Sequence, residues 1–203
     1  MGSRGAWKIL PEPIHSVIVG SLLGDGCLER NGNHWRIRFD HGWKEQAYAW
    51  WKFQLLKPIA ASPPRLMEVH DLRTGKVYRH IRFNTRTLPD LTPYAHWFYP
   101  DGQKRVPPLI GELLVSTLAL AVWYMDDGHR RTDCKALRLN TQGFRPDEVD
   151  LLRETLHRNF GIDTRRHHVI DDRWVIYLPA KTAQRFCDLI RPHIPPEMGY
   201  KLL

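Results

Sequence analysis

Two apolar runs, about a hundred residues apart, dominate the pattern of hydrophobic and polar positions along the chain. Residues 17–26 read VIVGSLLGDG, and residues 118–128 read LALAVWYMDDG. Small residues among large apolar ones are typical of a buried helix that lets another backbone approach closely. Each run ends in Asp-Gly, and we predict that Gly26 and Gly128 end the two helices as left-handed C-caps.

The acid before each of these glycines is Asp25 in the first run and Asp127 in the second. Such a cap places each carboxylate in the last helical turn, where the helix dipole disfavours an anion. If the helices pack side by side, the carboxylates also repel each other, and a divalent cation bound by both is the simplest relief. The small side chains that would let the helices cross closely are Gly20, Gly24, Ala119 and Ala121.

Polar and apolar residues alternate after the first run, which indicates strands, and Asn31-Gly32 is a strong hairpin signal. The elements predicted there are a hairpin formed by residues 27–30 and 34–40, a helix over 43–57, a hairpin turning between 71 and 76, and a helix near 91–98. Residues 99–108 are rich in Pro and Gly, which predicts a linker.

The second run is followed by the same order of elements. They are a hairpin formed by residues 129–131 and 135–141, a helix over 146–160, a hairpin over 164–178 that turns at 171–172, and a helix near 180–190. Corresponding elements of the two halves are separated by similar numbers of residues, which indicates duplication. We therefore predict an α+β fold of two pseudo-symmetric αββαββα halves, residues 8–100 and 113–203, joined by a linker over 101–112. The two motif helices would pack at the centre, beside a saddle of antiparallel strands.

Charge indicates the kind of partner. The chain has 203 residues, a formal net charge of +8 and a pI near 9.6, which favour a polyanionic partner over a merely solubilising surface charge. The three cysteines are odd in number and show no CxxC pair, which suits a reducing compartment. The sequence also lacks an uninterrupted apolar span of about 18 residues. We expect a soluble, intracellular protein without a membrane partner, in the cytoplasm of a bacterium or archaeon rather than an organelle.

Cationic side chains are frequent on the predicted strands and turns, and β-ribbons can enter the major groove of duplex DNA. Double-stranded DNA is therefore the expected partner. The candidate DNA-contacting residues are Arg30, Arg36, Arg38, Arg73, Lys76, Arg82, Arg130, Arg131, Lys135, Arg138, Arg165, Arg166 and Arg173. A register error of one residue would move any strand residue among them to the other face of its sheet.

The two apolar runs resemble the paired LAGLIDADG motifs of homing endonucleases, with residues 18–26 as the first copy and residues 120–128 as the second. Residues 139–142, LNTQ, and residues 195–202, PPEMGYKL, are similar to segments of monomeric meganucleases that carry both motifs in one chain. The resemblance covers nearly the whole chain after Ile14. It implies a functional monomer that cuts both strands of a long target site across the minor groove and leaves short 3′ overhangs.

The resemblance also implies site residues. Asp25 and Asp127 would be catalytic and hold Mg²⁺, with Gly24 and Asp126 beside them at the metal site. Asp126 occupies a position where the family often has a small residue, and we expect it to accept hydrogen bonds or to act from outside the metal ligands. Mn²⁺ would substitute for Mg²⁺, and Ca²⁺ would support binding without cleavage.

One basic residue in each half would assist the chemistry, and the local matches assign this role to Lys104 and Lys201. The alternative is that they are a linker charge and a tail charge. Asp40, Asn140 and Gln142 lie near positions where the family places polar residues that organise water. Two other functions remain open: a maturase that binds intron RNA, and a regulator of transcription that does not cut DNA.

Overall fold

The order of helices and strands repeats once along the chain. The computed structural model describes residues 9–203. The elements of its first half are α1 (Ile14–Leu23), β1 (Cys27–Asn31), β2 (His34–Gly42), α2 (Gln46–Leu56), β3 (Arg65–His70), β4 (Val77–Asn84) and α3 (Thr92–Phe98). After a short helix α4 (Ile110–Leu113), the second half contains α5 (Thr117–Asp127), β5 (Gly128–Arg130), β6 (Leu137–Leu139), α6 (Pro146–Phe160), β7 (Arg165–Ile170), β8 (Arg173–Leu178) and α7 (Ala180–Ile190). The predicted α+β fold is confirmed.

The predicted borders between the halves stay predictions. Helix α4 lies mostly within residues 101–112, where only a linker was predicted, and Lys8, the first residue of the predicted first half, lies outside the described residues. The predicted helix over 43–57 begins with a 3-10 turn, Trp43–Glu45, before α2. Strand β6, Leu137–Leu139, is shorter than the predicted limb over 135–141, and just beyond it the N–H of Asn140 donates to the carbonyl of Asp127 at 2.9 Å.

Helices α1 and α5 pack against each other at the centre, and every residue of α1 is buried. A Cβ on Gly20 would lie 2.4 Å from the Ala119 carbonyl oxygen, a distance that no side chain tolerates. A Cβ on Gly24 would lie 2.4 Å from the Cβ of Asp126. The packing role predicted for these two glycines is therefore confirmed.

The predicted left-handed C-caps are wrong. Gly26 does not have a positive φ, and Gly128 has φ −90° and ψ 151°, an extended conformation. Both positions require glycine because of close neighbours: an added Cβ would lie 2.7 Å from the Ser21 carbonyl oxygen at Gly26 and 2.1 Å from the Tyr124 ring at Gly128. Helix α1 ends at Leu23, so Asp25 lies beyond the helix, whereas Asp127 is the last residue of α5.

The strands form two four-stranded antiparallel sheets with the orders β1-β2-β4-β3 and β5-β6-β8-β7. One face of each sheet packs on helices through the core, for example through Ile37 and Phe39 in β2 and Leu137 and Leu139 in β6. Because successive side chains in a strand point to opposite faces, the other set of residues forms an open face. The two open faces carry the strand residues that concern function.

Candidate active site

Three carboxylates come together where α1 and α5 end. Burial and then the negative charges of Asp25 and Asp126 raise the pKa of Asp127 to about 7. Burial and then the charge of Asp126 also raise the pKa of Asp25. The acids of the two motifs therefore lie close enough to repel each other. This arrangement favours binding of positive charge.

The two predicted lysines each contact the backbone at the end of a motif. Lys104 Nζ donates to the carbonyl oxygen of Gly24 at 2.6 Å, and Lys201 Nζ donates to the carbonyl oxygen of Met125. Burial lowers the pKa of both ammonium groups, and the nearby acids act in the opposite direction. Both lysines are thus within electrostatic reach of Asp25, Asp126 and Asp127.

Asp126 accepts hydrogen bonds from a lysine that the sequence analysis did not identify. Lys52 Nζ lies 2.8 Å from Asp126 Oδ1 and 3.1 Å from Oδ2, and neither side chain is exposed. Tyr48 also donates to Asp126 Oδ1 at 2.7 Å, and the Lys52 ammonium lies 4.6 Å from the centre of the Tyr48 ring. Lys52 lies four residues from both Tyr48 and Leu56 on the buried stripe of α2, and a lysine on such a stripe is a signal that it has a buried partner.

His41 and Glu45 extend this group toward the open surface. His41 is buried, its Nε2 lies 3.4 Å from Lys52 Nζ, and its Nδ1 lies 3.8 Å from a carboxylate oxygen of Glu45. One potential ligand atom from each of Asp25, His41 and Asp126 lies within 4.8 Å of the others. Lys52 already contacts Asp126 in this group and supplies a positive charge there.

The residues predicted to organise water lie at different places. Asp40 lies on the open face of the first sheet, where its carboxylate accepts a hydrogen bond from Arg82 Nε at 3.0 Å and lies 3.1 Å from His80 Nδ1. Asn140 is bonded through its N–H to the carbonyl of Asp127, and Gln142 is half-buried two residues later. Their predicted roles stay predictions, as do those of Gly24 and the catalytic residues.

Arginines occupy the open face of the first sheet. Arg36 and Arg38 alternate with core residues of β2, and both donate to Glu29 of β1. Arg82 of β4 pairs with Arg65 of β3, which was not among the predicted DNA contacts. The hairpin between these two strands carries Arg73 and Lys76 in its exposed turn.

The open face of the second sheet is also cationic. Cross-strand pairing places His129, Arg138, Tyr177 and Arg165 on this face. His167 belongs to the same face and stacks on Tyr177 with ring centres 4.0 Å apart. By strand alternation, Arg131 and Arg173 continue this face, and Lys135 is exposed in the connection between β5 and β6.

Three of the predicted DNA contacts lie on the faces that the helices cover. Arg30 is opposite Trp35, and Arg130 is opposite Leu137 and donates to the Leu202 carbonyl. Arg166 is opposite Ile176, binds Asp150 of α6 at 2.7 Å, and stacks on Trp174. Each of these three arginines is adjacent in sequence to a residue on the open face. The sequence could not exclude such a shift of one residue, which moves a side chain to the other face of the sheet.

Comparisons with known proteins identify relatives along nearly the whole chain. "Probable intron-encoded endonuclease 1" of Wickerhamomyces canadensis is 29% identical over 206 residues, which cover 97% of this chain and 87% of that protein. "DNA endonuclease I-ChuI" of Chlamydomonas applanata is 31% identical and covers 92% of both chains. "Cytochrome b mRNA maturase bI2" of Saccharomyces cerevisiae is 28% identical over 93% of this chain, but this chain spans only 47% of the maturase. The predicted host compartment stays a prediction.

Solved structures share the fold. The homing endonuclease I-WcaI bound to its DNA recognition sequence has a TM-score of 0.87 and 27% identity, covering 100% of this chain and 95% of that chain. I-DmoI in complex with DNA and Mn has a TM-score of 0.52 and 13% identity, covering 87% of this chain and 95% of that chain, which shows a common fold. No helix within residues 9–203 is long and apolar enough to cross a membrane.

The family match covers residues 15–186 and therefore includes both motifs. The predicted arrangement of two motifs in one chain and the predicted enzyme class, an endodeoxyribonuclease, are confirmed at the level of the family. Because the match extends over most of its length, the protein belongs to the LAGLIDADG DNA endonuclease family.

Proposed function

We propose that this protein is a homing endonuclease that cuts both strands of a long DNA site by Mg²⁺-dependent phosphodiester hydrolysis. The observation that carries the proposal is the meeting of Asp25, Asp126 and Asp127 at the ends of the central helices, with Lys104 and Lys201 beside them. Hydrolysis of a phosphodiester requires positive charge near the attacking and leaving oxygens, and this cluster is suited to collect it.

The open faces of the two sheets support a role in binding duplex DNA. Their arginines lie on paired antiparallel strands, an arrangement that can be placed in the major groove. The proposed contacts on these faces and their turns are Arg36, Arg38, Arg73, Lys76, Arg82, Arg131, Lys135, Arg138, Arg165 and Arg173, to which we add Arg65. With the sheets in the major groove on either side, the central acids would lie over the minor groove.

The residues at the centre fit a divalent cation. Carboxylates and backbone carbonyls are the hard oxygen ligands that Mg²⁺ and Mn²⁺ prefer, and Asp25, Asp127 and the Gly24 carbonyl supply them. The raised pKa of Asp127 supports this assignment, because burial and the charges of Asp25 and Asp126 disfavour its ionised form and a bound cation would stabilise that form. I-DmoI was solved with DNA and Mn. When bound, the cation would activate water and stabilise the leaving 3′ oxygen.

The protein's own residues would orient the DNA and stabilise charge. The ammonium groups of Lys104 and Lys201 would stabilise negative charge as it develops on the scissile phosphates. The two halves are related by pseudo-two-fold symmetry, as are the antiparallel strands of a duplex. We therefore assign Asp25 to one strand and Asp127 to the other. Cuts on both strands across the minor groove would leave short 3′ overhangs.

Strand cleavage of a selected target tests this proposal. Sites cut by the wild-type protein are first selected from a randomised duplex library, and one selected duplex is labelled on both strands. We expect cleavage with Mg²⁺ and none with EDTA or Ca²⁺.

Asp25→Asn and Asp127→Asn should abolish double-strand cleavage but retain duplex binding in Ca²⁺. Asp163→Asn, at an exposed acid in the connection between α6 and β7, is the matched control and should cut normally. A fully active Asp127→Asn variant would remove that residue from the site.

A second candidate function is a maturase activity on the same surface, favoured by the similarity to the cytochrome b mRNA maturase. A maturase would bind structured intron RNA through the same cationic faces. Competition between that RNA and the selected duplex tests this candidate: equal affinity for both would support it, whereas RNA binding no stronger than that of an unrelated transcript would contradict it. A regulator that does not cut DNA would have no need of both motif acids, and both are present.

A further inference from the structure

A buried ion pair lies directly against the backbone of Asp25. Asp126 Oδ2 accepts a hydrogen bond from the N–H of Asp25 at 3.4 Å. The same carboxylate is held from the other side by Lys52 and Tyr48, both on α2. The end of the first motif, the end of α5 and the middle of α2 are therefore joined at one buried carboxylate.

We infer that Asp126 and Lys52 are positioning residues for Asp25, and that cleavage of one DNA strand depends on them more than cleavage of the other. The inference rests on the proposed function and concerns how one of its two carboxylates is held. Asp126 supplies the acceptor that fixes the peptide before the Asp25 side chain. Lys52 fixes Asp126 and cancels its negative charge.

Packing leaves the Gly24–Asp25 peptide little freedom to move away from Asp126. Because a Cβ on Gly24 would lie 2.4 Å from the Cβ of Asp126, the backbone of Gly24 packs directly on the Asp126 side chain. Asp126 cannot turn away, since Lys52 Nζ contacts both of its oxygens and no part of either side chain is exposed. A change at Asp126 should therefore displace Asp25.

Lys52 also acts through its positive charge. An unpaired Asp126 carboxylate would repel the Asp25 carboxylate, and the Lys52 ammonium, 2.8 Å from Asp126 Oδ1, offsets this repulsion. Lys52 has no access to solvent and contacts aromatic rings on two sides, those of Phe39 and Tyr48. Its charge is therefore directed at Asp126.

Asp127 is held by different contacts. In the two aligned motifs, the residue that corresponds to Asp126 is Gly24, which has no side chain to offer Asp127 the same support. The backbone of Asp127 is instead bonded through its carbonyl to the N–H of Asn140 at 2.9 Å. The two acids have the same place in the motif but are held by different contacts. A variant that changes the contacts of Asp25 can therefore slow the cleavage of one strand more than that of the other.

Two double variants test the inference on the selected duplex labelled on both strands. Lys52→Met with Asp126→Leu replaces the ion pair by apolar side chains and removes the acceptor for the Asp25 N–H. Replacing a buried ion pair as a whole by apolar side chains is commonly tolerated in folding. Lys52→Met with Asp126→Asn is also neutral but retains an amide oxygen as acceptor. Arg153→Met, on α6, the counterpart of α2 in the second half, is the control.

We expect the leucine variant to cut one strand at least about tenfold more slowly relative to the other, so that nicked duplex accumulates, because small displacements of catalytic groups have effects of this size or larger. The asparagine variant should restore the wild-type strand ratio to within about threefold, and Arg153→Met should not change it. Duplex affinity in EDTA and the circular dichroism spectrum should be unchanged in all three. Titration of the duplex complex with Ca²⁺ should show weaker cation binding in the leucine variant than in the asparagine variant.

An equal loss on both strands, or the same strand ratio in the leucine and asparagine variants, would overturn the inference. If the leucine variant is unfolded at the assay temperature, Lys52→Met with Asp126→Ala removes the same acceptor without adding volume. Failure of the wild-type protein to cut any duplex would instead contradict the proposed function, so the two failures are distinguishable.

Discussion

Burial and neighbouring acids together set the pKa of Asp127 at the end of α5. Its pKa in the folded protein is about 7, against an ordinary value of 3.8, because it is buried beside Asp25 and Asp126. At a pH between these two pKa values, Asp127 is protonated in the folded protein but ionised in the unfolded chain. In the absence of metal, this group's contribution to stability is fully present below about pH 4 and is lost as the pH rises through about 7.

Asp127→Asn should therefore stabilise the metal-free protein at pH 8. We expect a gain of about 2 kcal/mol in the free energy of unfolding, which is the full effect of the shift discounted for the partial exposure of the side chain. The gain should be largely lost near pH 4, where Asp127 stays protonated in the folded protein and is only about half ionised in the unfolded chain. Denaturant unfolding in EDTA at both pH values measures this difference. Asp163→Asn should show no such gain, and equal stability of wild type and Asp127→Asn at pH 8 would contradict the crowding of the acids.

The sequence identified the motif acids and both lysines as candidates, since each lies within or beside a recognisable segment. It did not identify Lys52, because the partner of Lys52 is 74 residues away and no local pattern connects them. The lysine lies between two aromatic residues, Trp51 and Phe53, on α2. A charged residue at a core position shows that a partner exists but does not show which residue it is.

Whole helices and hairpins were predicted more accurately than their ends. The bounds of α6 and α7 match the prediction, and in α6 they follow from the proline that starts the helix and the glycine that follows it. The ends of the motif helices were predicted wrongly. Glycine at a helix end is compatible both with a left-handed cap and with a close neighbour, and only the packing of α1 on α5 distinguishes the two.

The contact between α1 and α5 should tolerate no added side chain at Gly20. In Gly20→Ala, the new Cβ would lie 2.4 Å from the Ala119 carbonyl oxygen and 2.7 Å from the Cβ of Val122, so the helices must separate. We expect a loss of about 1–3 kcal/mol in the free energy of unfolding, the usual range for overpacking a core. Gly42→Ala is the matched control, because its Cβ would enter open space. Calorimetric unfolding should show a lower Tm for Gly20→Ala alone, and equal values for both variants would contradict the close approach.

At the scale of the whole molecule, the two open faces differ in how their charge is balanced. On the first sheet, Glu29 contacts Arg36 and Arg38, and Asp40 contacts Arg82. On the second sheet, the ion pair formed by an open-face arginine joins Arg131 to Asp133 in the adjacent connection. Arg36, Arg38 and Arg82 of the first sheet are therefore oriented by acids, which suits the reading of base edges. Those of the second sheet have more uncompensated charge for phosphates.

Arg138 and Arg166 provide a matched test of which face of the second sheet meets DNA. Arg138 lies on the open face between His129 and Tyr177, whereas Arg166 lies on the face covered by α6 and is bound to Asp150. We expect Arg138→Gln to raise the Kd for the selected duplex in Ca²⁺ about tenfold, because a lost charged contact to DNA costs about 1–3 kcal/mol. If the contact is to phosphate, the slope of log K against log salt should also fall by about 0.9. Arg166→Gln should change the Kd by less than about twofold.

Filter binding over a range of salt concentrations measures both the Kd and the salt dependence of each variant. The reverse order of effects would show that the helix-covered face contacts the DNA and that the saddle is assigned to the wrong side of the sheet.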